Sequence, residues 1–552
     1  MRAHVRRHGP DVVTAVMFGA VADRRNAADR AHRGDLRGAL GVIRTFDTGP
    51  RRGIRRLAAL MAVLGPGLVV MVADNDAGGI STYAQAGQDY GPRLAWLVLL
   101  LVPVLFVNQE MAARLGAVTG AGHARLITER FGRRWGGFAL ADLLALNLLT
   151  LVTEFVGVSI SLGYFGVSRF VSVPIAAAAL IWVTAAGSFR GWERAMATLV
   201  AGSLVAVPLL LTAWTRRPLP AHPLAHAPAV TGQGSAVFLA VALVGTTVAP
   251  WQLFFQQSNV VDKRITTRFL GYERIDTLIG TALFAIGALG ILLASGLAFG
   301  SAPLHGAFSG AAAVARGFRA ETGPAAGALF AIALGVGSLL GASAVTLATS
   351  YAVGDYFGLR HSLHRRWHDA RTFHRTYAAS VLAAAAVVLV PQVPLGLLTT
   401  AVQALAGILL PSATVFLLLL SNDREVLGPM VNPRWLNIIA AAVIGALIAL
   451  SALLTATTIL PHLQLTPAVT GLAITIAALA ACLALLAIRA RPAPAPSSTA
   501  DRRTWTMPPI DLLRPPERSA WRTLGLTVLR CYLLAAIAVL AVRAIQLALG
   551  SG

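Results

Sequence analysis

Cysteine is almost absent. The 552 residues hold two, Cys482 and Cys531, each inside an apolar run, which excludes a disulfide framework and a thiolate metal centre. Acidic residues are scarce too: 24 against 46 lysines and arginines, so that charged residues make up 13% of the chain. Soluble proteins carry about a quarter. A chain this poor in charge, with a mean hydropathy of +0.68, reads as a polytopic membrane protein, and its apolar runs recur from Arg55 almost to the C-terminus. It also lacks a nucleophile–base pair, an HExxH motif and a P-loop, so no enzyme activity is expected.

The basic excess, a formal net charge of +22, raises nucleic acid as a partner until its placement is considered. The arginines sit in short segments between apolar runs, as cytoplasmic loops do, and no nucleic-acid partner is expected. Spans are expected at 55–73 with 80–90, 94–118, 138–164, 171–188, 194–214, 235–248 with 252–262, 275–299, 324–352, 376–392, 396–420, 435–457, 466–488 and 524–548. With the N-terminus inside, the even-numbered connections are the basic ones, Arg216, Arg217, Arg316 and Arg319 being the exceptions on the opposite side. Arg125, Arg130, Arg133 and Arg134 lie in 119–137, and Lys263, Arg264, Arg268 and Arg274 in 263–274. Arg360, Arg365, Arg366, Arg371 and Arg375 lie in 358–375, together with His361, His364, His368 and His374, which lack ligand spacing and are expected at the surface. This places the protein in the plasma (inner) membrane with a cytoplasmic N-terminus. Residues 1–54 are expected to be a disordered basic tail, 55–460 the core, 461–488 a twelfth helix, 489–520 a Pro/Arg-rich linker, and 521–552 a C-terminal helix.

Within the first span stands "VADNDAGGIS", residues 72–81, with Asp74, Asn75, Asp76, Gly78 and Gly79 amid apolar residues. A carboxylate at membrane depth costs several kcal/mol, about 3 on insertion scales, and needs an offsetting interaction. The sixth span, "VFLAVALVGTTVAPWQLFFQQS", carries Pro250 in mid-helix, where it removes a backbone hydrogen bond. Thr246 and Thr247 just before it can satisfy freed backbone groups. Two broken helices five spans apart are the sequence pointer to an inverted-repeat transporter with a midplane site. Unwound backbone exposes carbonyl oxygens, and a carboxylate beside them suits a cation.

"GPG…DAGG…QAG…YG" followed by "ARLGAVTG", then "GTTVAPW" at 245–251 and "VQALAGILLPSATVFLLLLSND" at 402–423, resemble in the same order three motifs of the Nramp family of divalent metal transporters. The resemblance covers residues 55–460. It implies an all-α LeuT-type fold with a 5+5 inverted repeat, broken helices 1 and 6, and extra C-terminal helices. It also implies that Asp76, nine residues before Gln85, is the metal-binding aspartate of the first helix. At Thr246 the family uses a backbone carbonyl, and Gln403, eight residues before Pro411, matches the tenth-helix glutamine. The departures carry information. Gly79 replaces the family asparagine, Ala249 its methionine, Trp251 and Gln256 its two histidines, and Leu151 one of two third-helix carboxylates, of which Glu154 stays.

Losing the thioether leaves an oxygen site, which suits magnesium, an ion that keeps several waters. Gly79 and Ala249 are expected to leave room for those waters, and Asn75 is a candidate for the amide lost at 79. Asp74 either meets a hydrated ion's outer shell or reaches an aqueous vestibule. Thr247 is either an accessory or a satisfied kink residue. Glu154 is either part of a proton path or paired, and Trp251 is expected to pack the former proton route. The pattern is closest to the prokaryotic Nramp-related magnesium transporters, implied to carry Mg2+ and Mn2+ without proton coupling. The alternatives are a proton-coupled Mn2+/Fe2+ importer and a LeuT-fold symporter of an organic solute. No cofactor is expected, since the ion is cargo; the partners are that ion and the bilayer.

Overall fold

The computed structural model describes residues 34–45, 53–216, 236–299, 308–390, 395–459 and the short stretches 505–509, 512–513 and 526–527. The first span is α1 (Ile54–Val63), α2 (Pro66–Val72) and α3 (Ala77–Tyr90). Spans two to five are α4 (Ala95–Thr119), α6 (Arg133–Tyr164), α7 (Arg169–Ala185), and α8 (Phe189–Ser203) with α9 (Ala206–Arg216); α5 (His123–Phe131) joins the second to the third. The sixth is α10 (Ala236–Thr247) and α11 (Pro250–Asp262). Then come α12 (Leu270–Phe299), the connector α13 (Ala311–Glu321), α14 (Pro324–Phe357), α15 (Arg371–Leu389), α16 (Leu395–Ser421), the short α17 (Arg424–Leu427) and α18 (Arg434–Ile459). The eleven spans expected between residues 55 and 457 are all present. The twelfth and the C-terminal helix lie outside the described residues, as does nearly all of the linker.

Local chemistry accounts for the breaks. Ala249 precedes a proline, whose ring disfavours helical dihedrals at the residue before it, and Ala249 is extended (φ −95°, ψ 146°). Pro250 then opens α11 at its first position, where no N–H is needed. The first span has one break more than its hydropathy suggests. Leu64 and Gly65 part α1 from α2 at a bend of 51°, and Pro66 restarts the helix. Small residues then let the sixth and tenth spans approach. Gly245 of α10 lies against the Gln403 carbonyl and Gly407 of α16, so closely that a methyl group at 245 would collide with backbone.

Two expectations are corrected. The tail is not disordered throughout, because β1 (Leu36–Gly38) and β2 (Gly41–Ile43) pair antiparallel, Leu36 opposite Ile43. Leu36 and Ile43 are buried. Gly38 and Gly41 lie flat on Ala62 of α1, and the Ala39 N–H between them donates to Glu193 of α8. A short alternating segment with a glycine on each side of its turn found an apolar face to cover. The histidines of the 358–375 loop also depart from a surface placement, except for His368, which is exposed. His361 and His374 are buried, and His364 stacks on Phe189 with ring centroids 5.2 Å apart. The organiser is Asp262 at the end of α11, whose carboxylate accepts from Tyr351 Oη (2.7 Å), Ser362 Oγ (2.5 Å) and the Leu363 N–H (2.8 Å). His361 Nε2 meets Asp355 Oδ1 at 3.2 Å.

A buried charge cluster ties the first span to its neighbours. Lys263 Nζ donates to the carbonyls of Val63 (2.7 Å) and Leu64 (2.6 Å) and to Glu193 Oε1 (2.5 Å). It thereby satisfies the end of α1, whose last carbonyls have no partner within the helix. Asp276 of α12 does the reverse for α2, accepting from Gly65 (3.0 Å), Gly67 (2.8 Å) and Leu68 (3.2 Å) N–H groups. Lys263→Met leaves Glu193 as a charge without its cation, and the expected loss is about 3–5 kcal/mol. Thermal unfolding of the purified variant tests this, with Lys263→Met/Glu193→Gln recovering most of the loss. A melting curve like that of the wild type would show that the ammonium does not hold Glu193.

Candidate functional site at the two helix breaks

Asp76 is extended (φ −80°, ψ −174°) and caps α3, its Oδ1 accepting from the Gly79 N–H at 2.6 Å. The Ala77 N–H, next in the same turn, donates to Glu154 Oε2 of α6 at 3.1 Å. The two carboxyl groups lie alongside each other against Gly341 of α14, where an added methyl carbon would stand 2.8 Å from Asp76 Cβ and 3.1 Å from Glu154 Oε2. This is the interaction that offsets a carboxylate at membrane depth: the open N–H groups and positive dipole end of a half-helix.

Thr246, at the end of α10, comes to the same place. Its Oγ1 would be 2.9 Å from a methyl carbon on Gly79, and the Asp74 carbonyl oxygen 2.5 Å. Glycine at 79 therefore does not leave an open space; it lets the Asp74 carbonyl and the Thr246 hydroxyl close in around Asp76. Gln403 of α16 lies directly on Gly78, and Ala249 is buried between the halves of the sixth span. So Asp76, Gly79, Thr246 and Gln403 are brought together. Asn75 turns elsewhere: its Nδ2 donates to the Phe284 carbonyl of α12 at 3.2 Å and packs on Gly287. Thr247 Oγ1 donates to the Leu243 carbonyl at 2.7 Å, as a kink residue does. Trp251 is buried with its ring on Phe255, centroids 6.3 Å apart. Leu151 is buried in the core. Gln256 Nε2 donates to Glu273 Oε1 at 3.0 Å.

Several participants were not found in the sequence. Asp74 Oδ1 accepts from Gln252 Nε2, which also reaches the Thr247 carbonyl at 3.4 Å. Gln252 Oε1 in turn accepts from Gln109 Nε2 of α4 at 2.9 Å. Tyr83 of α3 places its hydroxyl near those of Thr246 and Thr247. The available signal was polar spacing: Gln252, Gln256 and Lys263 recur on one face of an otherwise apolar helix. Among the described residues no three His, Cys, Asp or Glu side chains converge to hold a metal ion. What surrounds Asp76 is instead a set of buried polar atoms without partners: Asp74 Oδ2, Tyr83 Oη, Thr246 Oγ1, Glu154 Oε1 and Gln403 Nε2.

The sequence pattern of the Nramp family, described as natural resistance-associated macrophage protein-like, matches residues 67–457. The chain belongs to the Nramp family. Among its relatives are two proteins named divalent metal cation transporter MntH. The one from Deinococcus radiodurans is 28% identical over 420 residues, 73% of this chain and 90% of that protein. The one from Burkholderia ambifaria is 26% identical over 446 residues, 78% of this chain and 95% of that protein. The Eremococcus coleocola manganese transporter, solved in complex with an aromatic bis-isothiourea substituted compound, shares the fold with a TM-score of 0.60 at 20% identity, over 80% of this chain and 96% of that one. This Nramp protein is thus a mostly helical, multi-pass membrane transporter of divalent metal ions with the LeuT-type arrangement.

Replacing Asp76 by alanine removes the main charge between the breaks and the cap of α3, a loss of about 1 kcal/mol for the cap. Asp76→Ala is expected to keep a cooperative melt while Mn2+ binding by calorimetry falls below detection. Binding as in the wild type would remove Asp76 from the site. Gly79→Asn, which restores the family's residue type, is expected to weaken Mn2+ binding rather than strengthen it, because its Cβ meets the Asp74 carbonyl.

Proposed function

We propose that this chain is a secondary carrier that moves Mg2+, and also Mn2+, across the plasma membrane by alternating access, with a cytoplasmic N-terminus and no enzymatic step. The observation that carries this reading is the set of unpartnered polar atoms around Asp76. Buried polar groups are nearly always hydrogen-bonded. Several orphans around one carboxylate call for a ligand with many contacts, such as a cation that keeps part of its water. The acceptors are carboxylate, hydroxyl and carbonyl oxygens, and Gln403 offers its own oxygen after a half-turn of its amide. Hard oxygen donors match Mg2+ and Mn2+. Ala249, standing where a methionine is usual in this family, supports the same preference, and with it the magnesium-transporting branch. In this reading Asp76, the Asp74 and Thr246 carbonyls and Gln403 hold the ion, with Asp74, Tyr83 and Thr247 around its water.

Transport without proton coupling is part of the proposal. Leu151, Trp251 and Gln256 stand where the coupled members carry titratable groups, and none of the three can carry a proton. One observation favours the proton-coupled Mn2+/Fe2+ importer instead: Asp76 and Glu154 lie side by side. Two adjacent carboxyl groups without a base between them share a proton, and an arriving dication displaces it. Vesicles holding a pH-sensitive dye decide between the two. In the proposed case, Mg2+ and Mn2+ entry leaves internal pH unchanged. Acidification that follows metal entry and disappears in Glu154→Gln would establish coupling.

Ala249→Met tests the ion preference. A soft sulfur beside the ion is expected to shift competition toward Mn2+ and Cd2+ over Mg2+. An active variant with unchanged selectivity would place residue 249 away from the ion.

A further inference from the structure

Below the helix breaks, the face of α11 that carries Gln252 continues with Gln256 and Lys263. Positions four and eleven residues on fall on one side of a helix, so the stripe runs about 16 Å from the level of Asp74 to the basic loop at the end of the helix. Each member faces a carboxylate. Gln252 holds Asp74, Gln256 holds Glu273 and Lys263 holds Glu193. All six side chains are buried.

The balance of charge along the stripe is uneven. Glu193 has the Lys263 ammonium, and Asp276 has three backbone N–H groups at the start of α2. Glu273 has neither. One of its oxygens accepts a single amide hydrogen bond from Gln256; the other, Oε2, has no partner. The Oε1 atom of Gln256, on the same amide, is unpartnered as well. Glu273 and Gln256 are each fully buried. A carboxylate and an amide oxygen, both unpaired and away from water, leave a place for a positive charge.

We propose that Glu273 and Gln256 form a second divalent-cation station, one helical turn below the site at the breaks and on the route to the basic-loop face. The inference rests on the carrier reading and adds a step to it. The ion leaves Asp76, pauses between Glu273 Oε2 and Gln256 Oε1 with most of its water, and departs past Lys263. The tethered ammonium keeps the lower end of the stripe neutral between passages.

The test is Mn2+ binding to the full-length purified protein, followed by the electron paramagnetic resonance of the free ion. The wild type is expected to show two classes of site. Asp76→Ala retains the weaker one, and Asp76→Ala/Glu273→Gln retains none. Gln256→Glu, which adds a carboxylate, is expected to tighten the weaker class about tenfold, equivalent to ~1.4 kcal/mol. In vesicles Glu273→Gln is expected to lower the maximal Mn2+ uptake rate while leaving KM for the entering ion unchanged. A single class in the wild type, or a weak class that survives Glu273→Gln and ignores Gln256→Glu, would overturn the station and leave the carrier reading standing. Tight binding that survives Asp76→Ala would overturn the proposed placement of the ion at Asp76, on which this step rests. Thermal melts of each variant separate lost binding from lost fold.

Discussion

The structure depends on a carboxylate placed at the open end of a half-helix. Ala77 begins α3 inside the membrane, and its first N–H groups have no partner in their own helix. Asp76 and Glu154 supply oxygens to Gly79 and Ala77, at 2.6 and 3.1 Å. In a low-dielectric setting an unmatched N–H and an unmatched carboxylate are each costly, and each offsets part of the other's cost. The break in the first span and the acid within it are therefore one feature. Asp76 can hold a charge because the helix stops there, and the helix can stop there because Asp76 caps it.

The same logic repeats toward the basic-loop face. Wherever the first span is interrupted, a side chain from the opposite part of the fold completes the exposed backbone: Lys263 at the end of α1 and Asp276 at the start of α2. Charges that repair helix ends are matched by the backbone they repair. Among the described residues Glu273 accepts from no helix-end N–H and touches no cation, the Lys263 ammonium acting on it only at a distance, which sets it apart from its neighbours. Glycine makes this geometry possible at a few positions. Gly78, Gly79 and Gly341 let Gln403, Thr246 and Glu154 approach the first span more closely than any side chain would permit.

Membership of the Nramp family brings divalent metal transport with it. The ion preference proposed above rests on particular replacements. Ala249 removes a soft donor, and Trp251 puts a packed ring where the family has a histidine. Gly79 draws a carbonyl and a hydroxyl toward Asp76 where an amide is usual. In the proposed reading the first two changes remove a soft donor and a group that titrates near neutral pH, and the third exchanges one oxygen donor for others.

Hydropathy along the chain was enough to expect a helix in each of the eleven ranges, because a membrane helix must be long and apolar whatever it packs against. Among the described residues seven helices, or up to nine with the two bent pairs, are long and apolar enough to cross a membrane. Both functional breaks were legible for a similar reason: proline excludes a hydrogen bond and a helical neighbour locally, and Asp76 with its glycines stands out in apolar sequence. Partnerships were decided only by the tertiary structure. Asn75 adjoins Asp76 yet faces Phe284, and Gln252 meets Asp74 across 178 residues. Glu273, in the first turn of α12, drew no notice in the sequence and is set apart only by Gln256 beside it. The hairpin at 36–43 and the buried histidines after Leu359 were missed because short polar segments become ordered through the surfaces they cover, Ala62 and Glu193 in one case and Asp262 in the other. Hydropathy is a property of one segment and its solvent, whereas a hydrogen bond between spans depends on where the fold places both ends.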